Sequence, residues 1–233
     1  MDAAAHSSTA DPSAPGGTDA RRLRQVVARA RGDGKVTIGV IGGSITEGAS
    51  ATAPERRWAN RFAAWWGDRF RCPVAFVNAG RGATGSLLGA HRVRRDLLAH
   101  RPDVVVCEYA VNDAPDRASA ETFEGLVRQI LAEPHAPAVL VLTTVAHEGR
   151  SAQEQHAAIA SHYGLPLASY RDAVWPRVQR GEIRWADVAA DDVHPNDQGH
   201  ALCATLLAEV VDRTLANAAY RVSTVPCRRC PPR

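Results

Sequence analysis

The sequence predicts an α/β protein in which helices pack on both faces of a mostly parallel, five-stranded sheet. Three observations carry this. Short, nearly unbroken apolar runs recur along the chain, as expected of strands buried on both faces. Segments with helical periodicity lie between them. The alternation continues from residue 19 to residue 220 without an internal repeat or a linker, so these residues form one domain.

The first 18 residues are rich in Ala, Ser, Pro and Gly and are expected to be disordered. An amphipathic helix follows over Asp19–Arg31, with Leu23, Val26, Val27 and Ala30 on one side. Strands are expected at Val36–Ile41, Val74–Val77, Val104–Cys107, Val139–Leu142 and Leu165–Ala168. The intervening helices are expected at Trp58–Phe70, Ser86–His100, Ala120–Glu133 and Ser151–Tyr163, with a last one from about Asp197 to Ala218. Residues 221–233 read as a flexible tail.

Bulk properties narrow the function. The 233 residues carry a net charge of +3, with 23% charged side chains and no dense basic block, which argues against a nucleic-acid partner. No apolar run approaches the length of a membrane span. The N-terminus lacks the positive start and apolar centre of a secretory signal, so a cytoplasmic location is expected. Five scattered cysteines fit reduced thiols. Cys227 and Cys230 form a CxxC, but no second Cys or His pair lies nearby, so a polar tail is favoured over a metal or redox site.

In parallel sheets, ligands gather outside the carboxyl ends of the strands. The residues that follow each apolar run are therefore the informative ones. After the first run comes Gly42-Gly43-Ser44, and this turn admits three chemistries. A phosphate loop meets its glycine spacing from Gly43 to Gly48, but Ala49 stands where the phosphate-binding lysine belongs. A dinucleotide fingerprint fits Gly80–Gly85 ("GRGATG"), but after the second strand rather than the first. A nucleophilic serine needs a histidine base, a carboxylate to orient it and donors for an oxyanion. All of these are present at strand ends. Ser44 would be the nucleophile, His194 the base and Asp191 its carboxylate. The Ser44 N–H, the Gly80 N–H and the Asn112 amide would be the oxyanion donors.

Four blocks in order, "IGGSIT", "NAGRGATGS", "EYAVND" and "DDVHPNDQGH", resemble the SGNH hydrolases, also called GDSL-type esterases and lipases. Together they span about Ile38 to His200. The resemblance implies a flavodoxin-like three-layer α/β/α sandwich, a Ser-His-Asp triad, and no metal or organic cofactor. It also implies acyl transfer from lipids, glycans, thioesters or small esters. Two positions depart from the family pattern. Gly43 replaces the Asp of G-D-S, and Ala110 replaces a Gly before Asn112.

D-x-x-H occurs twice, as Asp191–His194 and as Asp197–His200. The second copy reads as a helix start with Asn196 as its cap, so His194 is the preferred base. Asp192 is adjacent to Asp191 and is the lesser candidate. Glu108 is expected to be a buried acid satisfied by backbone amides, and Asp113 a structural partner bracing its loop. His91, His147 and His156 are read as surface or helix residues. Trp175 and Trp185 are read as packing beneath the D-x-x-H loop. Arg81 can face the substrate or solvent.

The expected activity is a serine esterase acting through an acyl-enzyme on a short acyl ester, such as an acetylated sugar or small metabolite. An acyltransferase would use the same residues. A nucleotide-binding protein and an inactive carbohydrate-binding relative are the readings from other classes.

Overall fold

A computed structural model describes residues 18–32 and 34–216. The expected tails, including Cys227 and Cys230, lie outside the described residues, apart from Thr18, which begins the first helix. Five strands, β1 (Val36–Gly42), β2 (Val74–Gly80), β3 (Val104–Glu108), β4 (Ala138–Thr143) and β5 (Leu167–Ser169), form one sheet. Every pairing is parallel and the order is β2-β1-β3-β4-β5. The helices are α1 (Thr18–Arg31), α2 (Ser44–Glu47), α3 (Trp58–Phe70), α4 (Ser86–Asp96), α5 (Arg117–Leu131), α6 (Gln153–Tyr163), α7 (Tyr170–Gln179) and α8 (Asp197–Ala216).

The continuous apolar runs work because alternate residues serve opposite faces. Ile38, Val40, Val104, Val106, Leu140 and Leu142 pack with α1, α3, α7 and α8 on one side. Ile41, Val105, Cys107, Val139 and Val141 pack with α4, α5 and α6 on the other. Helix α3 shows how a stripe is buried. Trp58, Phe62, Trp66 and Phe70 recur every four residues, and each is at most 4% exposed. Each such side chain contributes about 1.5–3 kcal/mol on burial.

Besides the short α2 and shifts of two or three residues in β5 and α5, two elements differ from the sequence expectation. The helix expected over Ser86–His100 stops at Asp96. Leu97 leaves helical geometry (φ −130°, ψ −58°), and a single 3-10 turn, Leu98–His100, follows, so that both Leu97 and Leu98 are buried. Helix α7 was not expected, because Pro176 inside it disguises the pattern. Its start is nonetheless encoded: the Ser169 hydroxyl accepts the Asp172 N–H at 2.9 Å as an N-cap.

The strand order reverses around β1, whose neighbours are β2 on one side and β3 on the other. The crevice outside that switch point is where such sheets bind ligands. Register places Gly42 opposite Gly80 on β2 and opposite Glu108 on β3. Three of the four sequence blocks therefore meet on one line across the sheet. Gly80 is forced to be glycine there, because a Cβ would run into the Thr46–Glu47 backbone of α2. Gly80→Ala should lower unfolding stability by about 1–3 kcal/mol through overpacking. Denaturant titration measures this, at a position where strand propensity alone would favour alanine.

Candidate active site

Ser44 is the first residue of α2, directly above the end of β1. At that position its N–H has no carbonyl one turn earlier to bind and is free to face the crevice. The Ser44 Oγ lies 2.9 Å from His194 Nε2. The other ring nitrogen, Nδ1, lies 2.8 Å from Asp191 Oδ2. With Nδ1–H donated to the carboxylate, Nε2 is left as the acceptor for the serine hydroxyl. Asp191 is itself fixed, because its Oδ1 accepts the Val193 N–H at 2.8 Å and the His194 N–H at 2.7 Å. Partial burial pushes the Asp191 carboxyl up. The His194 N–H and ring and the Val193 N–H outweigh this and hold it below the usual carboxylate range.

The loop carrying Asp191 and His194 is tied from outside. The Trp185 indole N–H donates to the Asp191 carbonyl at 2.8 Å, and the His147 N–H to the Asp192 carbonyl at 2.7 Å. Trp175, Trp185 and His147 meet edge-on beneath it. Asp192 is exposed and takes no part in the Ser44–His194–Asp191 chain. Asn196 caps α8 by accepting the Gln198 and Gly199 N–H groups.

The second D-x-x-H copy is a clamp. His200 is fully buried in α8, with Nδ1 accepting the Trp58 N–H and Nε2 donating to the Ala49 carbonyl at 3.0 Å. Asp197 accepts the Thr52 N–H and hydroxyl and the Arg56 guanidinium. Together they fasten the segment after the nucleophile helix to α8.

The oxyanion donors need one correction. The Gly80 N–H is already donated to Asn78 Oδ1 at 2.8 Å, and its Cα faces the α2 backbone, so it is not open to a ligand. Asn78 also donates to the Thr46 carbonyl at 2.8 Å, binding β2 to α2. The glycine that faces Ser44 is Gly82, where an added Cβ would sit 3.9 Å from Ser44 Cβ. The Gly82 N–H donates to Glu47 Oε2 at 2.8 Å. The sequence signal for Gly82 was its place inside "GRGATG". Arg81 is exposed on the same loop, with its N–H donated to the Gly42 carbonyl.

Asn112 lies against Gly43 so closely that a Cβ at position 43 would overlap its side-chain amide. Gly43 therefore makes room for Asn112, and the turn is braced from below instead. Arg92, 6% exposed, donates through Nη2 to the Gly42 carbonyl and to the Tyr109 hydroxyl, both at 3.1 Å. Glu108 is also buried, but hydroxyls rather than backbone amides satisfy it. Thr46 donates to Oε2 at 2.8 Å and Thr144 to Oε1 at 2.7 Å. Burial is the main cause that lifts its carboxyl from 4.5 to about 7. The two hydroxyls pull it down, the nearby Asp113 charge pushes it further up, and His194 pulls it back. His156, expected at a surface or on a helix, is in helix α6 but fully buried.

The same contacts weigh against the nucleotide reading. The Ser86 N–H, which opens α4 and would face a pyrophosphate, is taken by Asp113 Oδ1 at 2.8 Å. The Gly82 N–H is taken by Glu47. Two carboxylates occupy the donors that a phosphate would need. Among the described residues, no group of three or more His, Cys, Asp or Glu side chains could hold a metal ion. No described helix is long and apolar enough to cross a membrane.

A sequence profile of the GDSL-like Lipase/Acylhydrolase family matches residues 40–202, which contain Ser44, Asn112, Asp191 and His194. The chain belongs to this family. A two-domain esterase (CEX) active on acetylated mannans, co-crystallised with mannopentaose, is 36% identical over 88% of the chain, with a TM-score of 0.83. The chain spans only 57% of the length of that esterase. Two further neighbours share the fold alone. LAE5, from the metagenome of Lake Arreo, Spain, is 20% identical, with a TM-score of 0.64 over 77% of this chain and 96% of that one. Axe2, an acetylxylan esterase from Geobacillus stearothermophilus, is 19% identical, with a TM-score of 0.59 over 76% of this chain and 94% of that one. No curated protein matches the chain.

Two outcomes follow from this geometry. Gly43→Asp, which restores the family's G-D-S, should reduce kcat on nitrophenyl acetate by about 10²-fold, the size of a lost oxyanion donor, because it displaces Asn112. Glu108→Gln should flatten the pH dependence of stability. The folded-state value of Glu108 lies above its ordinary one. Its stabilising contribution is therefore complete below about pH 4.5 and is lost as pH rises through about 7. Relative to Glu108→Gln, the wild type should lose up to about 3 kcal/mol between pH 5 and pH 8, read from denaturant titrations at each pH.

Proposed function

We propose that the protein is a serine esterase that removes short acyl groups, acetyl foremost, from acylated carbohydrate through an acyl-enzyme. The unbroken hydrogen-bonded chain from Ser44 Oγ through His194 to Asp191 carries this reading. In the forward step His194 Nε2 takes the Ser44 proton as Oγ attacks the ester carbonyl. The tetrahedral oxyanion is met by the Ser44 N–H and the Asn112 amide. The Gly82 N–H joins them if a bound substrate displaces Glu47. His194, now protonated and steadied by Asp191, gives its proton to the leaving alcohol. Water, deprotonated by the same nitrogen, then releases the acid and frees Ser44.

The 36% identical esterase described as active on acetylated mannans supports carbohydrate as the leaving group. Ser44→Ala should lower kcat/KM for nitrophenyl acetate by at least ~10³-fold without altering the unfolding midpoint. A fluorophosphonate probe should label the wild type at Ser44 and leave the variant unlabelled. Near-normal turnover by the variant would overturn the nucleophile assignment. The carbohydrate assignment is tested with acetylated manno-oligosaccharides beside butyryl and longer nitrophenyl esters. Acetate should be released from the former, and rates should fall with acyl length among the latter.

A further inference from the structure

Asn112 has an unusual support. Its Oδ1 is buried without a hydrogen-bond partner against the bare face of Gly43, so its own amide does little to hold it. Its position must come from the backbone on either side. The residue that follows, Asp113, is the most heavily anchored point of that loop. Asp113 N–H donates to the Tyr109 carbonyl at 2.9 Å. Its Oδ1 accepts the Ser86 N–H at 2.8 Å, from the helix that opens after the Gly80–Gly85 loop. Its Oδ2 lies 3.0 Å from His156 Nε2.

His156 comes from α6, and its side chain is 1% exposed against 4% for Asp113. The imidazole stacks flat on Phe123, with ring centroids 3.7 Å apart and planes at 9°. Its Nδ1 is buried with no partner, which makes Nε2 the proton-bearing nitrogen. The residue that opens α6 holds the loop at a second point, where Ala152 N–H donates to the Ala110 carbonyl at 2.7 Å. The pair has a chemical task as well as a mechanical one. Asp113 is a buried carboxylate next in sequence to Asn112, whose amide would meet the negative charge that grows during acyl transfer. An unsatisfied anion there opposes that charge and pulls the loop toward whatever donor it can find.

We propose that His156 is a positioning residue for the oxyanion donor: its Nε2–H fixes and offsets Asp113, and Asp113 in turn fixes Asn112. This rests on the esterase reading of the site given above. It separates the Asp113–His156 pair from the Ser44–His194–Asp191 chain, with which it shares no residue.

The two amide replacements of histidine test it atom by atom. Glutamine carries a donor where Nε2 stands, and asparagine carries one where Nδ1 stands, while both lose the ring that stacks on Phe123. His156→Gln should keep kcat on nitrophenyl acetate within about threefold of the wild type. His156→Asn should lose about tenfold or more in kcat with KM unchanged within about twofold, because the transition-state contact alone is disturbed. In an Asp113→Ala background the difference between the two should vanish, since no acceptor oxygen remains. Equal kcat in the two single variants, or a loss expressed only in KM, overturns the proposal. If His156→Asn does not melt cooperatively, Asp113→Asn alone decides. It should lower kcat at least about fivefold with KM kept, and wild-type kcat there overturns the proposal. Failure of the esterase reading itself looks different, because the wild type would then show no Ser44-dependent turnover at all.

Discussion

The site depends on a steric constraint before it depends on any charge. Above the end of β1, the α2 turn, the β2 exit and the Asn112 amide converge on the same few ångströms. They fit because positions 43 and 80 carry no side chain. A Cβ at Gly80 would lift α2 off the sheet and take Ser44 with it. A Cβ at Gly43 would expel Asn112. The parallel register that aligns Gly42 with Gly80 and Glu108 brings these residues together. The glycines then set how closely they approach. Catalytic geometry of this kind tolerates errors of well under an ångström, so the steric condition precedes the chemical one.

Beneath that contact lies an unusual density of buried ionisable groups, and each is satisfied by a different device. Arg92 spends its charge on neutral oxygens, the Gly42 carbonyl and the Tyr109 hydroxyl, with Asp96 at 3.3 Å as its ionic partner. Glu108 accepts two threonine hydroxyls, while burial raises its affinity for a proton. Asp113 takes a helix-opening N–H and an imidazole. A buried charge that loses its partner costs far more than the intact contact contributes. The neighbouring elements are therefore held to these atoms, and the turn before Ser44 is tied down without a carboxylate at position 43.

Much of this was legible in the sequence. The five strands and all but one of the longer helices are visible because buried parallel strands are continuously apolar, and helices between them keep their own period. Ser44 and Asn112 were identifiable because they follow strand ends, and Asp191 and His194 because a carboxylate three residues before a histidine stands just before the last helix. What escaped was orientation. Glycine at 80 and glycine at 82 look alike in "GRGATG". Only the backbone path shows that the Gly80 N–H is closed by Asn78 with its Cα against α2, while Gly82 turns its bare face toward Ser44 and gives its N–H to Glu47. Helix α7 was hidden by Pro176, and the burial of His156 by an α6 sequence whose weak patterning did not show which side is covered.

The two D-x-x-H copies show how far spacing can carry an inference and where it stops. Both place a carboxylate three residues before a histidine, yet they do opposite work. In the first, the chain is in a loop, so Asp191 can fold back to hold both the backbone and the ring of His194, leaving Nε2 open toward Ser44. In the second, Asn196 starts a helix, and helical geometry directs Asp197 and His200 to separate partners. Both His200 nitrogens are then consumed, one by the Trp58 N–H and the other by the Ala49 carbonyl. A histidine with no free nitrogen cannot accept a proton from serine, and burial further lowers its affinity for one. The cap residue between the copies decides which histidine keeps a nitrogen facing Ser44, and that residue is a single asparagine.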